Sequence, residues 1–138
     1  MMNIRHRFCR LGLLTVMAGA FFGGCSDPVE PPPDDLFGVW EWARSVGGFA
    51  GVTLTPGSEG YTLQLRITRP DRIQLDRDGA EEVVTTFELI RSGGTDRLRY
   101  GEPILGQSEH ELRLQDGELV LIDPCCDGFT HTWLPRPE

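Results

Sequence analysis

The sequence predicts an all-β fold, an eight-stranded antiparallel up-and-down barrel, and three observations carry that prediction. Apolar and polar residues alternate through most of residues 36–138, the period of strands with one buried face. Turn pairs punctuate the alternating runs at Asp78-Gly79, Gly93-Gly94 and Asp116-Gly117, as two-residue hairpins require. Few connections are long enough for crossovers, so strands should pair with their sequence neighbours. Eight such strands can close on themselves and remove their edges. A sandwich of the same strands would need Greek-key crossovers that the spacing does not offer.

Taken in order, the first strand spans roughly residues 38–46. The second carries Tyr61, Leu63, Leu65 and Ile67 on one face and Thr62, Gln64, Arg66 and Thr68 on the other. Ile73 and Leu75 lead into the Asp78-Gly79 turn. Val83, Thr85, Phe87 and Leu89 make the fourth strand, Leu98 and Tyr100 the fifth, and His110, Leu112 and Leu114 the sixth. Residues 119–123 and 129–134 complete the set. The expected interior is Tyr61, Leu63, Leu65, Ile67, Phe87, Leu98, Tyr100, Leu112, Leu114, Leu119 and Leu121. No stretch beyond Leu36 shows a helical period.

Ahead of this domain, residues 1–24 read as a targeting signal. Arg5, His6, Arg7 and Arg10 form a positive segment, and residues 11–22 are uncharged and too short to span a bilayer as a stable helix. Phe22-Gly23-Gly24-Cys25 resembles the lipobox of bacterial lipoproteins. That resemblance implies cleavage between Gly24 and Cys25 and a diacylglyceryl thioether on Cys25; the other reading is a plain secretory signal with an incidental Cys. Several acyl chains anchor far better than one, so the expected partner is a membrane. Ser26 resembles the outer-membrane sorting preference of Gram-negative lipoproteins, which implies an outer-membrane protein facing the periplasm. Residues 25–35 then form the lipidated Cys and a Pro-rich acidic linker, extended and solvated.

The 138 residues suit one domain. All 13 basic residues are Arg, and the formal charge is −8. Without the three Arg of the signal, ten Arg face 21 acids, giving 10 − 21 = −11. An acidic body of that size excludes nucleic acid as the natural partner, because such binding draws its affinity from neutralised phosphates.

The domain opens on Gly38-Val39-Trp40, and Arg136 follows the last strand. With Trp40-Glu41-Trp42, the Gly-rich residues 47–56, Gly60-Tyr61-Thr62 and the terminal Asp127-Gly128-Phe129, these residues resemble the lipocalins, and in particular the small lipocalin-like lipoproteins of bacteria. The resemblance covers nearly all of residues 36–137. It implies that Gly38, Trp40 and Arg136 mark the closed end of the barrel and that the interior binds a small hydrophobic or amphipathic ligand. The double Cys and the Thr-His-Thr-Trp last strand depart from the pattern.

Candidate ligand-lining residues are Phe49, Tyr61, Leu63, Leu65, Phe87, Tyr100, Leu112 and Trp133. Phe49 sits in the Gly-rich segment of residues 44–61, either a lid or a loop whose glycines meet backbone demands. About 100 ordered residues bury only about 60 to 70% of their unfolded surface. A barrel filled by its own side chains, meeting another envelope protein through its acidic surface, is therefore the alternative. Cys125 and Cys126 form either a vicinal disulfide or a reduced pair. Asp123, Asp127 and His131 recur every four residues, but so few mixed donors read as turn chemistry rather than a metal site. Neither a catalytic residue nor a cofactor is expected, since no Ser stands in a nucleophile-elbow motif and no phosphate-cradling loop is present.

Overall fold

The computed structural model describes residues 30–137. The targeting signal, the Gly24-Cys25 cleavage point, the lipid-bearing Cys25 and residues 26–29 of the linker lie outside the described residues. Within them the chain forms β1 (Gly38–Gly47), β2 (Val52–Leu54), β3 (Leu63–Thr68), β4 (Arg72–Arg77), β5 (Ala80–Ser92), β6 (Thr95–Ile104), β7 (Gln107–Gln115), β8 (Glu118–Ile122) and β9 (Phe129–Pro135). Each strand pairs antiparallel with the next around the ring β1-β3-β4-β5-β6-β7-β8-β9, and β9 returns to β1 from Trp40↔Pro135 to Gly47↔Phe129. The fold is thus a closed eight-stranded antiparallel up-and-down barrel. The short β2 stands outside the ring, paired only with the far end of β1.

Four successive hairpins explain the up-and-down order. Asp78-Gly79, Gly93-Gly94, Leu105-Gly106 and Asp116-Gly117 each carry positive φ at both residues. Those are type I′ turns, whose twist matches that of the flanking strands. Three of the four are evident in the sequence. The fourth places Leu105 at φ 53, a conformation that costs an L residue with a branched side chain about 1–2 kcal/mol.

Two short helical turns depart from the purely β expectation. A 3-10 turn, Asp34–Leu36, crosses one end of the barrel. Helix α1 (Pro56–Glu59) breaks the Gly-rich segment. Its cause is local: Thr55 and Ser58 exchange side-chain and backbone hydrogen bonds as a capping box, Pro56 sits in the first turn, and Gly60 ends the helix at φ 76.

The two ends of the barrel differ. At one, Leu36 is fully buried and Trp40 Nε1 donates to the Leu36 carbonyl at 3.1 Å, so the 3-10 turn and Trp40 plug the interior together. Phe37 packs on Phe87, with Arg69 above its ring. Arg136 extends the β1 ladder through its backbone N–H to the Val39 carbonyl, while its side chain approaches Glu41 at 3.6 Å. Leu65, Ile67, Ile73, Leu98, Ile104, Leu119, Leu121 and Trp133 are buried in the interior. The opposite end, bounded by the β4–β5 and β6–β7 turns and by β2, remains hollow.

Candidate functional site

That hollow is a cavity of about 360 Å³. Leu54, Tyr61, Leu63, Leu75, Val83, Leu105 and Phe129 give it apolar walls. Arg77 and Glu82, paired at 3.3 Å, stand at its rim. Arg77 lies over the Tyr61 ring, which stacks on Trp42 with centroids 5.6 Å apart, so one wall is a three-layer stack. Two buried polar side chains, Ser45 and His131, complete the lining.

An irregularity in β1 brings Ser45 inside. Trp40 and Trp42 face the core in ordinary alternation, but the register with β9 shifts between Trp42 and Arg44. The additional residue turns Ser45 inward three positions after Trp42, leaving it 3% exposed. Ser45 Oγ accepts the Trp42 Nε1–H at 2.8 Å and lies 2.6 Å from His131 Nδ1. On the far side of the ring, His131 Nε2 lies 3.2 Å from Asp123 Oδ1. His110, fully buried on β7, meets the same oxygen through Nε2 at 3.0 Å, and Tyr100 Oη lies 2.9 Å from His110 Nδ1.

The protons follow from what each partner can accept. Ser45 Oγ already accepts from Trp42, and the acceptor in reach of its own hydrogen is His131 Nδ1. His131 therefore carries its proton on Nε2 and donates it to Asp123. By the same reasoning Tyr100 donates to His110 Nδ1, which directs the His110 Nε2–H toward Asp123. Its alignment there is poor, and His110 Nε2 has no hydrogen-bond partner among the described residues despite its short approach. Burial, and then the neighbouring His131, push the His110 pKa down to about 4 against the pull of Asp123. Burial lowers His131 as well. Both rings are neutral at pH 7.

Asp123 is held from behind. It starts the β8–β9 connection, where its N–H donates to the Phe129 carbonyl at 2.9 Å and its Oδ2 accepts the Phe129 N–H at 2.9 Å. Gly128 presses against it so closely that a Cβ there would overlap the Asp123 Cβ. The carboxylate thus has one oxygen fixed on backbone and the other aimed between two imidazoles.

Of the candidate lining residues, Tyr61 and Leu63 line the cavity. Leu65, Phe87, Tyr100, Leu112 and Trp133 are buried in the core, and Phe49 is 97% exposed in the β1–β2 turn. Cys125 and Cys126 are free and exposed. Asp127 is exposed and stands apart from the cluster, whereas Asp123 is nearly buried and His110 joins it from β7. Turn chemistry accounts for Asp123 Oδ2 but leaves its other oxygen to the two histidines. Trp40 and Arg136 share a groove of about 600 Å³ on the outer face of the closed end. This groove is larger than the mouth cavity, yet no buried polar network among the described residues opens into it. The closed ring is compatible with a lipocalin-like fold. Comparison of the chain with known protein families, with curated proteins and with solved structures finds no match.

Proposed function

We propose that this protein binds a small amphipathic molecule in the mouth of the barrel and is held at the envelope by lipid on Cys25. The observation that carries the ligand reading is the joining, in one cavity, of apolar walls with the buried polar pair Ser45 and His131. Ligand sites are mostly apolar concavities with a few placed polar groups, commonly about 300–1,000 Å³ in volume. At about 360 Å³ this cavity suits a compact ligand better than a long-chain lipid. Its apolar body would rest on Leu54, Leu63, Val83 and Leu105, with a polar donor toward the remaining lone pair of Ser45 Oγ or a polar group at the Arg77–Glu82 rim.

Ser45, His131 and Asp123 stand in the order of a nucleophile, a base and an acid. We read the row as orienting rather than catalytic, because Ser45 is 3% exposed and its Oγ already holds the Trp42 N–H. Support for the anchor comes from the charged, then apolar, then small-residue pattern ending at Cys25. Ser26 supports placement at the outer membrane.

The test uses the chain from residue 31 onward, the compact unit that holds the barrel. A fluorescent apolar probe should bind with one-to-one stoichiometry and be displaced by short amphiphiles. Absence of uptake across fatty acids, retinoids and aromatic probes would favour the filled-barrel module that meets an envelope protein instead.

A further inference from the structure

Three donor atoms from three separate strands or connections converge beneath the mouth: His110 Nε2 from β7, Asp123 Oδ1 after β8 and His131 Nε2 from β9. All lie within 4.8 Å of one another. The carboxylate oxygen is 3.0 Å from one nitrogen and 3.2 Å from the other. A zinc ion about 2.0–2.1 Å from two donors, at the tetrahedral angle, would set those donors about 3.3 Å apart. Both nitrogen–oxygen spacings are close to those of a formed site, and the two nitrogens, within 4.8 Å of each other, would draw together to about 3.3 Å around one ion.

The surroundings fit as well. His110 Nε2 is fully buried, points at the cluster and lacks an aligned hydrogen bond, a costly condition for a metal-free network. Metal-ligating histidines place their other ring nitrogen on a partner that fixes the ring. Here Tyr100 Oη and Ser45 Oγ occupy those positions at 2.9 and 2.6 Å, and the Phe129 N–H holds the second carboxylate oxygen.

We propose that His110, Asp123 and His131 bind a divalent transition metal, zinc by preference, through two imidazole nitrogens and one carboxylate oxygen. Two histidines and a carboxylate leave a fourth tetrahedral position for water or a ligand atom. On binding, each neutral ring keeps one proton but carries it on Nδ1, where Ser45 and Tyr100 accept it. The site stands independently of ligand uptake in the mouth.

The experiment titrates Zn²⁺ by calorimetry into the chain from residue 31 onward carrying Cys125→Ser and Cys126→Ser, which leaves no thiol to compete for the metal. One ion should bind per chain. Co²⁺ should give the intense visible absorption of a four-coordinate nitrogen–oxygen site. Separate His131→Gln and Asp123→Asn variants, checked for fold by circular dichroism, should each lose more than about 100-fold in affinity, beyond the usual cost of losing an outer partner. Tyr100→Phe, which keeps all three donors, should lose about 10-fold or more. Three results would overturn the proposal: no stoichiometric ion in the chain with both thiols replaced, six-coordinate weak cobalt spectra, or affinity unchanged in a folded donor variant. The first titration decides even if a donor variant fails to fold, and failure of apolar-probe uptake would leave it standing.

Discussion

Ser45 and His131, 86 residues apart in sequence, meet at 2.6 Å inside the barrel. Their contact closes the ring chemically where β1 and β9 close it by backbone pairing. It also links Trp42, an aromatic wall of the cavity, to Asp123 at the base of the β8–β9 connection. One hydroxyl thus ties the mouth to the polar cluster beneath it.

Replacing Ser45 with Ala strands two buried groups at once, the Trp42 N–H and His131 Nδ1. Leaving a buried polar group unsatisfied costs about 1–3 kcal/mol. Urea denaturation of Ser45→Ala should show a loss in that range with an unchanged slope. A conservative Ser45→Thr keeps the hydroxyl and should restore much of it if the added methyl fits. A loss near zero for Ser45→Ala would show that water replaces the hydroxyl and that the link is not structural.

The plug at the other end makes a separate prediction. Trp40 is 5% exposed and holds the Leu36 carbonyl. Truncating a buried aromatic to Ala costs about 3–5 kcal/mol. Trp40→Ala should lower the melting temperature accordingly, while Trp40→Phe, which loses chiefly the hydrogen bond, should cost less. Stability indifferent to both would contradict the placement of Trp40 as a plug.

These two positions differ in how readable they are. Trp40 sits in regular alternation after Gly38, so its inward direction follows from period two alone. Ser45 does not, because simple alternation from Trp42 would send Arg44 inward and Ser45 out, and the bulge reverses that. The barrel order was legible in Asp78-Gly79, Gly93-Gly94 and Asp116-Gly117, whose chemistry demands tight turns. Leu105-Gly106 hid the fourth turn because leucine is a poor occupant of positive φ. His110 stands in phase with Leu112 and Leu114 and is buried with them, although the expected interior omits it. Its meeting with Asp123 and His131 depended on closure of the ring, a long-range event that local spacing does not encode. Phe49 illustrates the converse, an aromatic in a glycine-rich turn that looks like a lid and projects into solvent.

Leu105 is a test of whether the mouth is shaped for a ligand. It occupies a turn position that Asn would fill with less strain, yet its side chain lines the cavity. Leu105→Asn relieves backbone strain of about 1–2 kcal/mol and gives up a partly buried apolar side chain of similar worth. Overall stability should stay within about 1 kcal/mol of the parent. Binding of the apolar probe should weaken several-fold, since an apolar wall becomes polar. Probe affinity unchanged by the substitution would place the probe elsewhere.

Gly128 makes the sharpest demand on the β8–β9 connection. A side chain there would collide with Asp123 and with the Cys125 carbonyl, whose oxygen would lie 2.8 Å from the new Cβ. The obstruction is backbone and a short, pinned side chain, so neither can swing aside as the end of a flexible residue would. Gly128→Ala should therefore destabilise by about 1–3 kcal/mol, the usual cost of overpacking. It should also displace Asp123 from the two imidazoles. Histidine ring resonances of His110 and His131 should move together in a proton–nitrogen correlation spectrum, with the folded barrel retained by circular dichroism. If the variant loses stability while both ring environments stay fixed, the connection yields at the cysteines instead, and Asp123 is positioned by Phe129 alone.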